Sequence, residues 1–182
     1  MNCETFSIKD MCLFSPEVFG DDRGSFVESF NQKVFSDCVS DSAVFVQDNQ
    51  SVSKSGVLRG LHYQIKHPQG KLVRVSRGSV FDVAVDLRRS SPSFGKWVGA
   101  TLTEENQSQL WIPPGFAHGF YALTDTATVQ YKVTAYWHPE HERTLIWNDP
   151  AVNIEWPLIN DSPLLSEKDA QGLPLSGLEY FE

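Results

Sequence analysis

Short strand-like segments recur along this chain, cut apart by glycine, proline, asparagine and aspartate. Branched and aromatic runs bounded by such turn residues read as strands. They fall at 25–30, 44–47, 57–64, 71–76, 80–87, 96–102, 109–112, 117–123, 128–137 and 145–147. Only 33–38 and 166–171 read as helices, the second with Ser166 as N-cap and Asp169 at its third helical position. So many short strands with so little helix predict an all-β sandwich or barrel. No internal repeat, linker or low-complexity stretch interrupts the 182 residues, so one domain over 1–182 is expected, with a barrel core at about 44–147.

Charge narrows the partners. With 15 basic and 23 acidic side chains the formal net charge is −8, which argues against a general nucleic-acid or membrane-surface binder. A single anionic small molecule held by a local basic cluster stays compatible with it. Cys3, Cys12 and Cys38 form no disulfide framework, and without a CxxC pair they suggest no structural zinc site. The N-terminus lacks the apolar run of a signal peptide, and no segment reaches transmembrane length. A reduced, cytoplasmic protein is expected.

Alternation gives the first view of a site. In 81–87, Phe81, Val83, Val85 and Leu87 share one face, and Asp82, Ala84 and Asp86 the other. Pattern alone reads these acids as solvated, since exposed charge is the usual case. Arg59 and His62 should lie on opposite faces of their strand, unless Gly60 permits a bulge that brings them to one side. Tyr131 and Trp137 share a face and should stand about 20 Å apart along an unbroken strand at roughly 3.3 Å per residue. An aromatic core face would show the same pattern. His118 follows the Pro113-Pro114-Gly115 turn and reads equally as a buried structural histidine or a functional one. His67, His138 and His141 sit among Pro, Lys and Glu and read as rim or surface. A metal site in a small barrel generally takes a His-x-His pair, a nearby Glu and a later His; Tyr63 and Gln64 follow His62, so that pair is missing.

Eight motifs, in order, carry a resemblance across roughly positions 5 to 175. They begin with Val46-Gln47-Asp48-Asn49, Leu58-Arg59-Gly60-Leu61-His62-Tyr63-Gln64, Gln69-Gly70-Lys71-Leu72-Val73-Arg74 and Val80-Phe81-Asp82-Val83-Ala84-Val85-Asp86. They continue with Trp111-Ile112-Pro113-Pro114-Gly115-Phe116-Ala117-His118-Gly119-Phe120, Tyr131-Lys132, Ile146-Trp147-Asn148-Asp149-Pro150 and Leu165-Ser166-Glu167-Lys168-Asp169-Ala170. The set resembles the dTDP-4-dehydrorhamnose 3,5-epimerase family. The resemblance implies a cupin-type jelly-roll β-barrel with a few short helices, a homodimer, a dTDP-sugar substrate and no metal or nicotinamide cofactor. Carried over by position, His62 matches the family's base, Tyr131 its acid, Asp169 the carboxylate orienting the base, and Lys71 the lysine beside the ketone oxygen. Asp82 and His118 match a second His–Asp pair in the sugar site. Arg23, Glu28, Gln47, Asp48, Asn49, Arg59, Glu142 and Lys168 fall at ligand-contact positions. Trp137 stands where an aromatic, often Tyr, stacks on thymine, and keeps a π-face there.

The chemistry implied explains the residue types. If roughly ten pKa units separate a C–H beside a ketone from a histidine, proton transfer is uphill by ~14 kcal/mol. A base alone is insufficient, so a fixed cation must lower the enolate at its oxygen. Histidine titrates near neutral pH, and a buried carboxylate fixes its tautomer. Inversion also needs a proton donor on the opposite face of the ring. Arginines suit the diphosphate, with Arg23 and Arg59 the candidates. A single-site epimerase, a ketoisomerase on the same barrel and a non-catalytic sugar-nucleotide binder are the competing readings.

Overall fold

The computed structural model describes residues 1–8, 10–39 and 43–182. Among the described residues thirteen strands form: β1 (Asn2–Thr5), β2 (Cys12–Ser15), β3 (Val18–Asp21), β4 (Gly24–Val27), β5 (Gln47–Lys54), β6 (Leu58–Gln64), β7 (Lys71–Arg77), β8 (Ser79–Asp86), β9 (Trp97–Thr103), β10 (Gln109–Ile112), β11 (Phe116–Ala122), β12 (Thr126–Val133) and β13 (Glu142–Thr144). A six-stranded sheet runs β1-β2-β10-β7-β12-β5 and a five-stranded sheet β13-β6-β11-β8-β9, while β3 and β4 form a separate hairpin. Pairing within these sheets is antiparallel, and sequence neighbours repeatedly fall in opposite sheets. The result is a cupin-type jelly-roll with α1 (Gln32–Cys38) and α2 (Glu167–Ala170) at its margins.

Period-two alternation builds the core. Val73 and Val75, Val80 and Ala84, Leu110 and Ile112, Phe116 and Phe120 meet in one apolar cluster. The other face of the five-stranded sheet is covered as well. Leu61, Tyr63, Val83, Val85 and Leu87 pack with Val152 and Leu178, and with Trp156 and Phe181 beside them. This double cover explains why every residue of β11 is buried. On the outer side of the six-stranded sheet, Phe35 of α1 packs with Phe14, Leu72 and Trp111.

The strands at 57–64, 71–76, 80–87, 96–102, 109–112 and 117–123 form within a residue or two of expectation. Both helices do too, and the Ser166 side chain accepts from the Asp169 amide as an N-cap. Several expectations are corrected. The strand expected at 44–47 begins at Gln47 and runs to Lys54 through polar sequence. That expected at 128–137 ends at Val133, and 145–147 is replaced by Glu142–Thr144. The strand at 25–30 shortens to Gly24–Val27, paired with the unforeseen β3. Asp82 and Asp86 are not solvated: both are 0% exposed. Arg88, Ser91 and Ser93 satisfy the Asp86 carboxylate, and His118 that of Asp82. Buried carboxylates persist because each has such partners.

Candidate active site

At one end of the barrel a cavity of about 380 Å³ opens between the two sheets. His62 reaches it from β6 because the chain bulges. His62 lies opposite His118 and Arg59 opposite Phe120, so Gly60 and Leu61 together face Gly119 alone. The bulge puts Arg59 and His62 in the same cavity wall. Only glycine fits at its centre: Gly60 has φ +116, and a Cβ there would lie 2.6 Å from Gly119 Cα and 2.7 Å from the His118 carbonyl oxygen.

Behind His62 stands Asp169, delivered by α2 from 107 residues along the chain, with Oδ1 2.6 Å from His62 Nε2. Asp169 is 3% exposed. Burial pushes its carboxyl pKa up, but donors from His62, Ser166 and Gly60 together outweigh this and hold it below the usual carboxylate range. A carboxylate at Nε2 selects the Nε2–H tautomer and leaves Nδ1 as the basic nitrogen.

Lys71 opens β7 and sits 7% exposed, its Nζ 3.4 Å from the His62 carbonyl oxygen. Burial pushes its pKa down to about 8, while Glu142 and Asp82 pull the other way. At pH 7 it is a mostly charged ammonium in a dry wall, suited to meet an oxyanion. His118 lies opposite Ala84 of β8, with its Nε2 2.9 Å from Asp82 Oδ2. Burial lowers the His118 pKa against the pull of Asp82.

Tyr131 enters from β12, opposite Asn49 of β5, its ring 6.5 Å from that of His118. Burial first, then Glu142, raises the phenol pKa, so Tyr131 keeps its proton at neutral pH. Trp137 borders the same cavity at 57% exposure, but strand alternation does not put it there. It lies beyond the end of β12, where its backbone amide donates to Gln47 Oε1 at 3.2 Å. Gln47 in turn donates to Asn49 Oδ1 at 2.8 Å. Glu142 and Lys168 pair at 2.8 Å on the rim, and Arg59 donates to Ser53 Oγ at 3.0 Å.

Four expected residues lie off the cavity wall. Asp82 stands behind His118, with Oδ1 3.0 Å from its Nε2. Asp48 projects from the opposite face of β5 and pairs with Lys132 at 3.0 Å. Arg23, its side chain 89% exposed, pairs with Asp21 in the β3–β4 hairpin, and Glu28 just beyond the hairpin accepts from Asn31 at 3.2 Å. Conversely, Ser51, Gln69, Phe120 and Ser166 line the cavity without having been singled out as ligand-facing. The signal available for Ser51 was the polar alternation Gln47, Asn49, Ser51. His67, His138 and His141 stack against one another away from the cavity lining, with ring centroids 4.6 to 6.1 Å apart. Among the described residues, no group of three His, Cys, Asp or Glu side chains is placed to hold a metal ion.

An imidazole with a carboxylate behind it, a protonated phenol from another strand and a buried ammonium can together move protons beside a carbonyl. Fold and site thus define an isomerase of the cupin-type epimerase class. A family model described as dTDP-4-dehydrorhamnose 3,5-epimerase matches residues 5–176. The dTDP-4-dehydrorhamnose 3,5-epimerase of Pseudomonas aeruginosa is 57% identical over 181 residues, covering 100% of this chain and 99% of that protein. The crystal structure of a dTDP-6-deoxy-D-glucose-3,5-epimerase from Legionella pneumophila, in complex with dTDP-4-keto-L-rhamnose, matches with a TM-score of 0.95 at 48% identity, covering 98% of this chain and 94% of that one. A 3′-monoepimerase from Streptomyces bikiniensis, in complex with dTDP-quinovose, matches with a TM-score of 0.87 at 33% identity, covering 94% and 87%. The chain belongs to the dTDP-4-dehydrorhamnose 3,5-epimerase family.

Proposed function

We propose that this protein inverts C3 and C5 of dTDP-4-dehydro-6-deoxy-D-glucose, giving dTDP-4-dehydro-L-rhamnose for dTDP-rhamnose biosynthesis. The observation that carries this reading is the convergence of His62, Lys71 and Tyr131 on one cavity, with Asp169 behind the histidine. His62 removes the proton from the carbon beside the C4 ketone, and the electron pair moves onto the ketone oxygen. Lys71 stabilises that enolate, and Tyr131 returns a proton to the opposite face of the ring. The same set acts at the second carbon, and no cofactor takes part. Arg59 holds the diphosphate, Trp137 stacks on thymine, and Gln47, Asn49, Glu142 and Lys168 complete the ligand contacts. His118, backed by Asp82, lines the sugar end.

The enzyme acts as a homodimer. Val18, Phe19 and Phe26 on the β3–β4 hairpin lie open to water, Phe26 at 69%, as a surface awaiting a second copy. Arg23 and Glu28 belong to or adjoin that hairpin, so in a dimer they can meet ligand in the other copy's cavity. Free cysteines suit a reducing, cytoplasmic setting, and among the described residues no helix is long and apolar enough to cross a membrane.

Incubation with dTDP-4-dehydro-6-deoxy-D-glucose in D2O, followed by NMR, tests the reaction. Deuterium at both C3 and C5 with inverted configuration is expected. Label at one carbon alone supports the single-site reading, which the match to a 3′-monoepimerase keeps in view. Binding without label leaves a sugar-nucleotide binding protein. Chelators should leave the rate unchanged; loss of activity restored by a metal ion would sink the cofactor-free mechanism.

A further inference from the structure

Asp169 is held by more than the histidine it serves. Its Oδ1 takes His62 Nε2 at 2.6 Å and the Gly60 amide at 3.4 Å. Its Oδ2 takes the hydroxyl of Ser166 at 2.8 Å, and the same hydroxyl accepts from the Asp169 amide at 3.2 Å. This resembles the reciprocal capping box that starts helices, except that the carboxylate takes the serine hydroxyl and not its backbone amide. Here the reaching carboxylate is the one that orients the imidazole. Helix α2 has only four residues, so its own backbone does little to fix the Asp169 side chain.

We propose that Ser166 is a positioning residue for the epimerase reaction: its hydroxyl locks the Asp169 carboxylate in the rotamer that holds His62. The inference rests on the reading of His62 as the base. A hydroxyl donor at Oδ2 leaves Oδ1 to the imidazole and keeps the carboxylate ionised. The other charged or titratable groups around His62 are Lys71 from β7, His118 with Asp82 behind it, Tyr131 from β12, Arg59 from its own strand and the Glu142–Lys168 pair. None of them hydrogen-bonds to Asp169 in the described structure, so none substitutes for the serine.

Capping and positioning can be separated by substitution. Glycine caps helices within a few tenths of a kcal/mol of serine but has no side chain to donate a hydrogen bond. Ser166→Gly is therefore expected to keep the helix cap and dTDP affinity, to lose a few degrees of melting temperature because Asp169 Oδ2 loses a donor, and to lower kcat about tenfold. Ser166→Thr, which keeps the donor, should restore kcat. Proton NMR gives an independent readout. The His62–Asp169 proton, in a 2.6 Å contact, should resonate far downfield in wild type and Ser166→Thr, and broaden away in Ser166→Gly. Wild-type kcat, or an unchanged downfield resonance, in Ser166→Gly overturns the proposal. His62→Ala is assayed alongside. If it is inactive while the Ser166 variants are fully active, only the serine's role fails; if it too is active, the reading of His62 as base fails with it.

Discussion

Lys71 shows what the site costs the fold. Its ammonium is buried, and its pKa falls from the ordinary 10.5 to about 8, so the folded state holds the proton less tightly than the unfolded chain. Between those two values unfolding takes up a proton, and stability therefore rises with pH across that window. Lys71→Met removes the buried charge while keeping the stem. It should stabilise the protein at pH 7 by up to about 3 kcal/mol in urea unfolding, with the gain shrinking above pH 8. The same variant should lose nearly all epimerase activity, because the enolate oxygen loses its cation. In the wild type, kcat/KM should decline on the alkaline side as Lys71 deprotonates near pH 8, and a profile flat to pH 10 would contradict that assignment. His62→Ala should abolish deuterium exchange at C3 and C5 alike; exchange surviving at either carbon would reveal a second base.

Among the elements, β6 with its bulge is the most informative. Gly60 was legible in the sequence as a place where alternation could break, which Arg59 and His62 need if they are to share a wall. Gly60→Ala meets both a positive φ and the backbone of β11. It should cost at least about 2 kcal/mol in chemical denaturation and reduce kcat by more than its effect on stability explains. Helix α2 was equally legible, because a capping serine followed by an acid is a local signal. Strand β5 was not. Its inward row of Gln47, Asn49 and Ser51 faces the cavity instead of the core, so the apolar period that marks a half-buried strand is missing. The end of β12 was overrun for the opposite reason: Tyr131, Val133, Ala135 and Trp137 continue the strand pattern past Val133, where pairing with β5 and β7 stops.

At the scale of the molecule, the exposed hairpin and the off-site Arg23 lead to one expectation. Light scattering should give twice the mass of the chain. A Phe19→Ser, Phe26→Ser double variant should shift toward the monomer and bind the dTDP-sugar more weakly, and Arg23→Ala should raise KM about tenfold while the dimer persists. A wild-type protein that is monomeric and fully active would overturn the dimer reading. The acidic chain also meets its anionic substrate through local placement, since Lys71, Arg59 and Lys168 converge on one cavity despite a net charge of −8.

The sequence by itself determined the all-β class, most strands of the five-stranded sheet, both helices and the chemical types needed for proton transfer. These are local properties, written in period-two alternation, turn residues and caps, or in motifs short enough to read directly. Tertiary structure alone decided that Asp82 and Asp86 lie inside and that Asp169 reaches His62 across 107 residues. Burial of a carboxylate depends on whether another strand brings a partner within hydrogen-bonding distance, and no sequence period encodes that. Residue types could nominate a base at His62; only the closed barrel put a carboxylate behind it and an ammonium beside it.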